Sequence, residues 1–469
     1  MNIYRIYIVL MLLAVIFQTV LADPIFDSPV DYSVGTYPIS ICGADFDGDL
    51  DNDLAVANNG SSSVSVLINN GNGTFQSPVD YPVVGSPVDI VAADFTGDLQ
   101  VDLAITCTSP SAVLILAGNG DGIFQDTVIN IGDTPAEPRA LCAGDFDNDS
   151  ENDLAVVGGW NQTSFGCAYI NGFDFYENHF TYEGASPYDV VTADFDGDND
   201  DDLAVLDYIS RYIYIYRSAG LYGWFGTWAF RYYDSGFDQM FCADVNGDTI
   251  MDIIGAVGGD NGGYEIFPGH GNCTFGPGSC TDSIGPMTNL YVTDFDADGD
   301  LDIALTGESL DSVFIALNDN SGSFSTPSAF YSGGGSSFIF AIELNGDNYN
   351  DLVVAHIASN TVSVLINGSG TDLEDDYLAS LPGTYWLSNN YPNPFNSLTL
   401  IKYYLQQQSQ VNIDIFDILG RKIQTLAEGI QPSGNYQARW DASSQSSGIY
   451  IYKLQAGDYT ETKKMLLLK

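Results

Sequence analysis

The sequence predicts an all-β chain: a seven-bladed β-propeller closed by its N-terminal strand, followed by a small immunoglobulin-like β-sandwich. Three observations carry that prediction. One acidic motif recurs seven times at near-constant spacing, each repeat holds four stretches with strand patterning, and the strand missing from the last repeat stands at the start of the chain.

The motif reads DFDGDLDNDLAV from Asp45, DFTGDLQVDLAI from Asp94, DFDNDSENDLAV from Asp145 and DFDGDNDDDLAV from Asp194. It continues as DVNGDTIMDIIG from Asp244, DFDADGDLDIAL from Asp294 and ELNGDNYNDLVV from Glu343. The starts lie 49, 51, 49, 50, 50 and 49 residues apart, a regularity that belongs to repeat architectures. In the first repeat, apolar alternation and turn residues mark strands over 39–44, 54–57, 64–68 and 75–83, with a Gly/Asn turn at 70–73. Four short strands per unit fit a blade, whose radial repetition leaves only short edges exposed. The seventh repeat stops at its third strand, 362–366, with no Gly-x-Phe segment after it. The missing text is at the other end: Phe26-Asp27-Ser28-Pro29-Val30-Asp31-Tyr32 repeats Phe75-Gln76-Ser77-Pro78-Val79-Asp80-Tyr81 almost letter for letter. The N-terminus is therefore expected to complete the last blade, without the capping repeats an open array needs.

The division of the chain follows from hydropathy and charge. Arg5 precedes an apolar run from Ile6 to Phe17, and Val20 and Ala22 stand at the small-residue positions of a cleavage site, so residues 1–22 read as a signal peptide. The run is short for a membrane span, no later segment is long and apolar enough for one, and an exported mature chain with no transmembrane segment is expected. Residues 23–367 form the propeller, 368–386 an acidic linker and 387–469 a second domain. Between Asp23 and Trp386 Lys is absent, and only Arg139, Arg211, Arg217 and Arg231 oppose 56 carboxylates. Beyond Trp386, 8 basic residues meet 6 acidic ones. A surface so acidic repels phosphate, which makes nucleic acid and anionic lipid poor partners for the first region.

The spacing of the acidic residues points to metal. Carboxylates at positions 1, 3, 5 and 9 of a tight loop, with a backbone carbonyl near 7, offer one hard cation an all-oxygen shell. Calcium fits this best, because magnesium demands stricter octahedral geometry and zinc wants the His or Cys these loops lack. An EF-hand is excluded, since its twelfth position must be Glu and here is Val56 or its equivalent. Full sets are Asp45, Asp47, Asp49 and Asp53 (loop 1), Asp145, Asp147, Asp149 and Asp153 (loop 3), Asp194, Asp196, Asp198 and Asp202 (loop 4), and Asp294, Asp296, Asp298 and Asp302 (loop 6). Loop 2 has Asp94, Asp98 and Asp102 with Thr96 in the gap; loop 5 has Asp244, Asn246, Asp248 and Asp252; loop 7 has Glu343, Asn345, Asp347 and Asp351. Up to seven structural Ca2+ ions are expected, with the three depleted loops filling last. The alternative is a set of Asx-turn loops that hold no metal.

These repeats resemble the FG-GAP or VCBS family, which includes the calcium-binding blades of integrin α-subunit propellers. The resemblance covers roughly residues 26–367. It implies calcium loops that brace the blades from one face, with ligand bound by loops of the opposite face. The second domain, with strands read at 398–405, 411–418, 436–440 and 449–454, suggests a small β-sandwich. Its text (NNYPNPFN at 389–396, FDILGRKI at 416–423, SGIYIYKL at 447–454 and the ending KKMLLLK) resembles the type A sorting domain of type IX secretion. That resemblance implies the type IX machinery as partner and a secreted or cell-surface location on a Gram-negative, Bacteroidota-like bacterium.

Seven Cys cannot all pair within one chain; Cys273 and Cys280, flanking a turn, are the disulfide candidates, and Cys42 and Cys142 read as core residues. No catalytic residue is assigned, because the three His (His179, His270, His356) fall in unrelated places and the propeller has no Lys. The aromatic run Tyr212, Tyr214, Tyr216 puts three rings on one strand face, read as inter-blade packing or as a ligand platform. The loops between second and third strands, with Trp160, Tyr208, Arg211 and Asp260, form the expected ligand face. The functional expectation is a surface or extracellular binding and adhesion protein for a glycan or protein ligand; the alternative is a calcium-assisted polysaccharide lyase on the same scaffold.

Overall fold

In the computed structural model every regular element among the described residues is a β-strand. The structure describes residues 24–467 apart from 131–136, 147–150, 159–163, 172–173, 182–185, 219–226, 232–236, 259–261, 281–283, 308–309, 348, 369–384, 392–397, 419–420, 433, 443–444, 446–447 and 458. Two compact units result, Phe26–Asn367 and a C-terminal unit that begins after it.

Among the described residues, the first unit contains seven four-stranded antiparallel sheets. The first is Pro38–Ala44, Asp53–Asn58, Ser63–Leu67 and Val79–Pro82, in that order. Its fourth strand is shorter than the expected 75–83, because Phe75 reaches its partner Asn69 through a single isolated bridge. The second strands are buried along both faces, as in Asp53–Asn58 and Asp202–Asp207. Their unbroken apolar text, Leu-Ala-Val-Ala or Leu-Ala-Val-Leu, is what a strand sandwiched between two neighbouring sheets requires.

Side-chain alternation distributes these strands between two cores. Ala55 and Ala57 face the second sheet with Leu103, Ile105 and Leu114, whereas Leu54 and Val56 face the seventh with Val353, Ala355, Val362 and Val364. Further clusters join the second sheet to the third, the third to the fourth, and so on to the sixth and seventh. Tyr214 and Tyr216 belong to the cluster between third and fourth sheets, with Phe146, Leu203 and Val205, so the tyrosine face of this strand is packing and offers no platform.

The seventh sheet is completed by the N-terminal segment: Val30–Ser33 pairs with Thr361–Leu365. The contacts copy those of an internal fourth strand. Ser363 Oγ donates to Asp31 at 2.6 Å as Ser65 Oγ does to Asp80 at 2.5 Å. Phe75 N donates to the Tyr32 hydroxyl at 3.3 Å as Phe124 N does to that of Tyr81 at 3.2 Å.

The C-terminal unit consists of a three-stranded sheet (Trp386–Tyr391, Leu398–Leu405, Gly434–Asp441) and a four-stranded one (Lys422–Gln431, Ser409–Asp417, Gly448–Ala456, Tyr459–Leu467). Both sheets feed one core around Trp440, Tyr403, Tyr452, Ile413 and Leu454, the arrangement of a two-layer sandwich. Three of these strands, Trp386–Tyr391, Lys422–Gln431 and Tyr459–Leu467, were not among those expected. Trp386–Tyr391 runs through Ser388, Asn389 and Asn390, and the other two strands break their apolar positions with Lys, Gln, Thr and Glu, so none reads as an apolar segment.

Candidate metal centres

Each acidic motif lies between the first and second strands of its sheet, and its nine positions divide the work. The carboxylate at position 1 caps its own loop: Asp45 accepts Gly48 N at 2.7 Å and Leu50 N at 3.0 Å. Asp94, Asp194 and Asp244 repeat this pair of bonds. Closing so tight a loop puts position 4 in the left-handed region, with φ of 78° at Gly48 and 79° at Gly197, which explains the glycine there.

The carboxylate at position 9 fastens the loop to the sheet. Asp53 accepts Phe46 N at 2.9 Å and Asn69 N at 2.7 Å, and Asp102, Asp202, Asp252, Asp302 and Asp351 each accept the two equivalent amides. Asp153 accepts Phe146 N in the same way. The residue after the third strand then reaches the preceding loop: Asn69 Nδ2 donates to Leu344 O, Ser218 Oγ to Phe146 O, Asn318 Nδ2 to Val245 O and Asn367 Nδ2 to Phe295 O, all at 2.8 Å. Burial pushes these position-9 acids up, Asp53 and Asp252 to about 6, Asp202 and Asp302 to about 7, Asp351 to about 8. Neighbouring loop carboxylates add to the rise, while the two amide bonds oppose it.

Ligand oxygens converge within 4.8 Å of one another in three of the four full loops: Asp45, Asp47 and Asp53; Asp194, Asp196 and Asp198; Asp294, Asp296 and Asp302. Of the remaining full loop, Asp147 and Asp149 lie outside the described residues. The donors are carboxylate oxygens only, and Asp294 Oδ1 is buried without a hydrogen-bond partner. Burial and the charge of Asp298 push Asp296 up to about 6. Asp196 Oδ1 in loop 4 is buried and unpartnered as well, while its Oδ2 pairs with Arg217. An unpartnered buried oxygen among like charges is what a hard cation would satisfy, so loop 6 fits one, and loop 1 offers the convergence of its oxygens alone. Two of the depleted loops, 5 and 7, bond their own carboxylates. Asn246 Nδ2 donates to both oxygens of Asp252 at 3.2 and 3.0 Å, and Asn345 Nδ2 to Asp347 at 3.2 Å. In loop 2 the Thr96 amide bonds Asp94 and Asp102, leaving Asp98 as the lip of the loop.

The first strands, Pro38–Ala44, Ser86–Ala93, Pro138–Gly144, Pro187–Ala193, Phe237–Ala243, Asn289–Thr293 and Ser336–Ile342, surround a cavity of about 1080 Å³. Side chains tie each strand to the next. Ser40 Oγ donates to Asp89 at 2.8 Å, Leu141 N to Asp89 at 3.0 Å, Met240 N to Asp189 at 2.7 Å and Leu290 N to Gln239 at 2.9 Å. Asn289 Nδ2 donates to Ser337 O and Ser337 Oγ to Pro38 O, both at 2.9 Å. Between the third and fourth strands the tie is Arg139 over the Tyr188 ring at 3.6 Å. Burial pushes Asp89 to about 6 and Asp189 to about 7, against the amide bonds they accept. None of these residues was singled out by sequence. Ser40, Asp89, Asp189, Gln239 and Asn289 do share one register, five residues before each motif, which was the available signal. Cys42 and Cys142, read as core, line the cavity.

Of the expected ligand face, Tyr208 is exposed and stacks on Tyr188 at 5.2 Å, and Arg211 has φ of 60° in the loop after the second strand. Trp160 and Asp260 lie outside the described residues. The Cys273–Cys280 disulfide is not formed. Cys273 is a free thiol, buried, with Sγ turned to Asp202 Oδ2 at 3.4 Å. His356 is buried at the end of its strand, and His270 contacts only the local Thr274 hydroxyl among the described residues.

Residues 45–105 and 294–354 match the FG-GAP-like repeat family, and residues 389–468 match the secretion system C-terminal sorting domain. Among curated proteins none matches the chain. A solved structure of a functionally unknown protein from Desulfotomaculum acetoxidans DSM 771 is similar at 10% identity and a TM-score of 0.46, over 69% of this chain and 90% of that one. Among the described residues no helix is long and apolar enough to cross a membrane. With the loop geometry recurring sheet after sheet, the all-β chain carries FG-GAP-like repeats over residues 45–105 and 294–354 and a secretion system C-terminal sorting domain over residues 389–468.

Proposed function

We propose that the seven sheets are the blades of one ring closed by the N-terminal strand, that calcium bound in the acidic loops braces it, and that the exported protein binds an extracellular glycan or protein. The domain limits follow the sequence: a signal peptide over 1–22, the ring over 23–367, a linker over 368–386 and the sorting domain over 387–469. The observation that carries the calcium reading is the convergence of carboxylate oxygens in loops 1 and 6, with Asp294 Oδ1 buried and unpartnered. Support for closure comes from the core shared by first and seventh sheets and from Asp31 and Tyr32 repeating the contacts of Asp80 and Tyr81. Calcium's role is structural: each ion would neutralise carboxylates the fold already holds in place. The binding surface is the end opposite the acidic loops, where Tyr208 is exposed beside the Arg139–Tyr188 contact. An exposed aromatic ring next to a guanidinium suits a sugar ring or an extended peptide.

The test is a glycan array probed with the secreted protein in millimolar calcium and in chelator, with elemental analysis of the bound metal. Calcium-dependent retention of a glycan class, weakened by Tyr208→Ala at unchanged melting temperature, is the expected result. A metal-free protein whose melting is unmoved by chelator overturns the calcium reading.

A further inference from the structure

Loop 4 departs from its counterparts at two places, both supplied by neighbouring strands. Residue 217 immediately precedes the amide that bonds the position-9 carboxylate, a register fixed by Ser218 N to Asp202 at 2.7 Å. In the other repeats where that amide bond is seen, the preceding residue is Ile68, Ala117, Pro268, Leu317 or Ile366. Here it is Arg217, one of four cationic residues between Asp23 and Trp386. Its Nε ion-pairs with Asp196, and its Nη2 lies 2.9 Å from Asp198 Oδ2. The guanidinium thus meets the carboxylates at positions 3 and 5, the groups a cation would otherwise bridge. Among the described residues, no Lys or Arg pairs with a carboxylate of loop 1 or loop 6.

The second departure is Cys273. In three sheets the turn donates one amide into the preceding loop: Gly73 N to Leu344 O, Gly122 N to Phe46 O, Cys273 N to Phe195 O. Glycine stands there in the first and second sheets, and Cys273 takes the same left-handed backbone, with φ of 60°. Its thiol adds a donor to Asp202, a third beside the two amides. Arginine's planar fork is permanently charged and matches carboxylates at two points.

We infer that loop 4 is internally neutralised: Arg217 stands in the cation's place, so this loop takes up no calcium and stays ordered without it. The inference rests on the calcium reading for its stoichiometry and on the ion pairs for its stability arm. The experiment compares wild type, Arg217→Ile, Asp198→Ala and the triple change Arg217→Ile with Asp196→Asn and Asp198→Asn, each stripped with chelator and titrated with calcium by calorimetry. Arg217→Ile is expected to bind one more ion per chain than wild type, Asp198→Ala the same number as wild type, and the triple change no extra ion. In chelator, Arg217→Ile is expected to melt below wild type and the triple change to recover. An unchanged stoichiometry in Arg217→Ile, or the loss of one ion in Asp198→Ala, overturns the inference. Should no variant bind calcium, the calcium reading fails and the melting arm decides: a lowered Arg217→Ile that the triple change rescues sustains the role of Arg217, and an unmoved one refutes it.

Discussion

Loop 6 separates the two jobs of its carboxylates most cleanly, through Asp302→Ala and Asp296→Ala. Asp302 is 1% exposed and accepts Phe295 N at 2.8 Å and Asn318 N at 2.9 Å. Its removal orphans two buried amides, at about 1–3 kcal/mol each. The same change relieves the burial that pushes Asp302 up to about 7, which places the net loss near the low end, about 2–3 kcal/mol. Unfolding entropy near 2.1 cal/mol/K per residue makes that roughly 3–4 °C in melting temperature for the first unit. Among the described residues Asp296 accepts one backbone bond, from Asp298 N at 3.2 Å, and faces the charges of Asp298 and Asp294. In chelator Asp296→Ala is therefore neutral or slightly stabilising. With calcium at a hundredfold excess over Kd both variants forfeit about 2.7 kcal/mol of linkage, because Asp296 and Asp302 both belong to the converging set, so Asp296→Ala becomes destabilising there while Asp302→Ala remains the larger loss. Differential scanning calorimetry of both variants, in chelator and in calcium, checks this. Equal destabilisation by both in chelator, or a silent Asp302→Ala, refutes the division into a structural ninth position and a metal-facing third.

Three further outcomes are expected. Ending the chain after Asn367 leaves the sorting domain off, and fractionation should find the folded remainder in the periplasm; normal surface display would sink the export assignment. Tyr32→Phe removes the acceptor of Phe75 N and should cost about 1 kcal/mol, while deleting residues 24–33 exposes the edge of Thr361–Leu365 and should cause chelator-resistant aggregation; a deletion that melts like wild type would contradict closure. In chelator, stability should rise as pH falls from 8 to 5.5. Asp189 and Asp351 have folded values of about 7 and 8 against an ordinary 3.8, so the native state holds more protons than the unfolded chain in this window, and the penalty of ionising them fades as pH falls through those values. His356, buried and held below 6.5, pulls the other way, as one imidazole against several carboxylates. A melting temperature that falls steadily over this range would refute the burial of these acids.

How far the sequence reached depended on whether a feature repeats. The motif period fixed seven units, the text Phe26–Tyr32 announced the strand that pairs with Thr361–Leu365, and the Asp-to-Asn changes at 246 and 345 marked loops that bond themselves. Unbroken apolar runs marked the second strands because each sheet of the first unit buries both faces, whereas Lys422–Gln431 and Tyr459–Leu467 mix Lys, Gln, Thr and Glu among their apolar positions and were missed. Only the tertiary structure decided what depends on neighbours hundreds of residues or a whole repeat away. It set the ties around the cavity from Ser40 to Ser337, the seating of Arg217 on Asp196 and Asp198, and the turning of the Cys273 thiol toward Asp202. Periodicity reports which face of a strand is apolar. Which polar group fills the space left by the next sheet is settled by side-chain geometry across the interface, where a single Arg in an aliphatic register reads as an ordinary substitution until the loop beside it is in place.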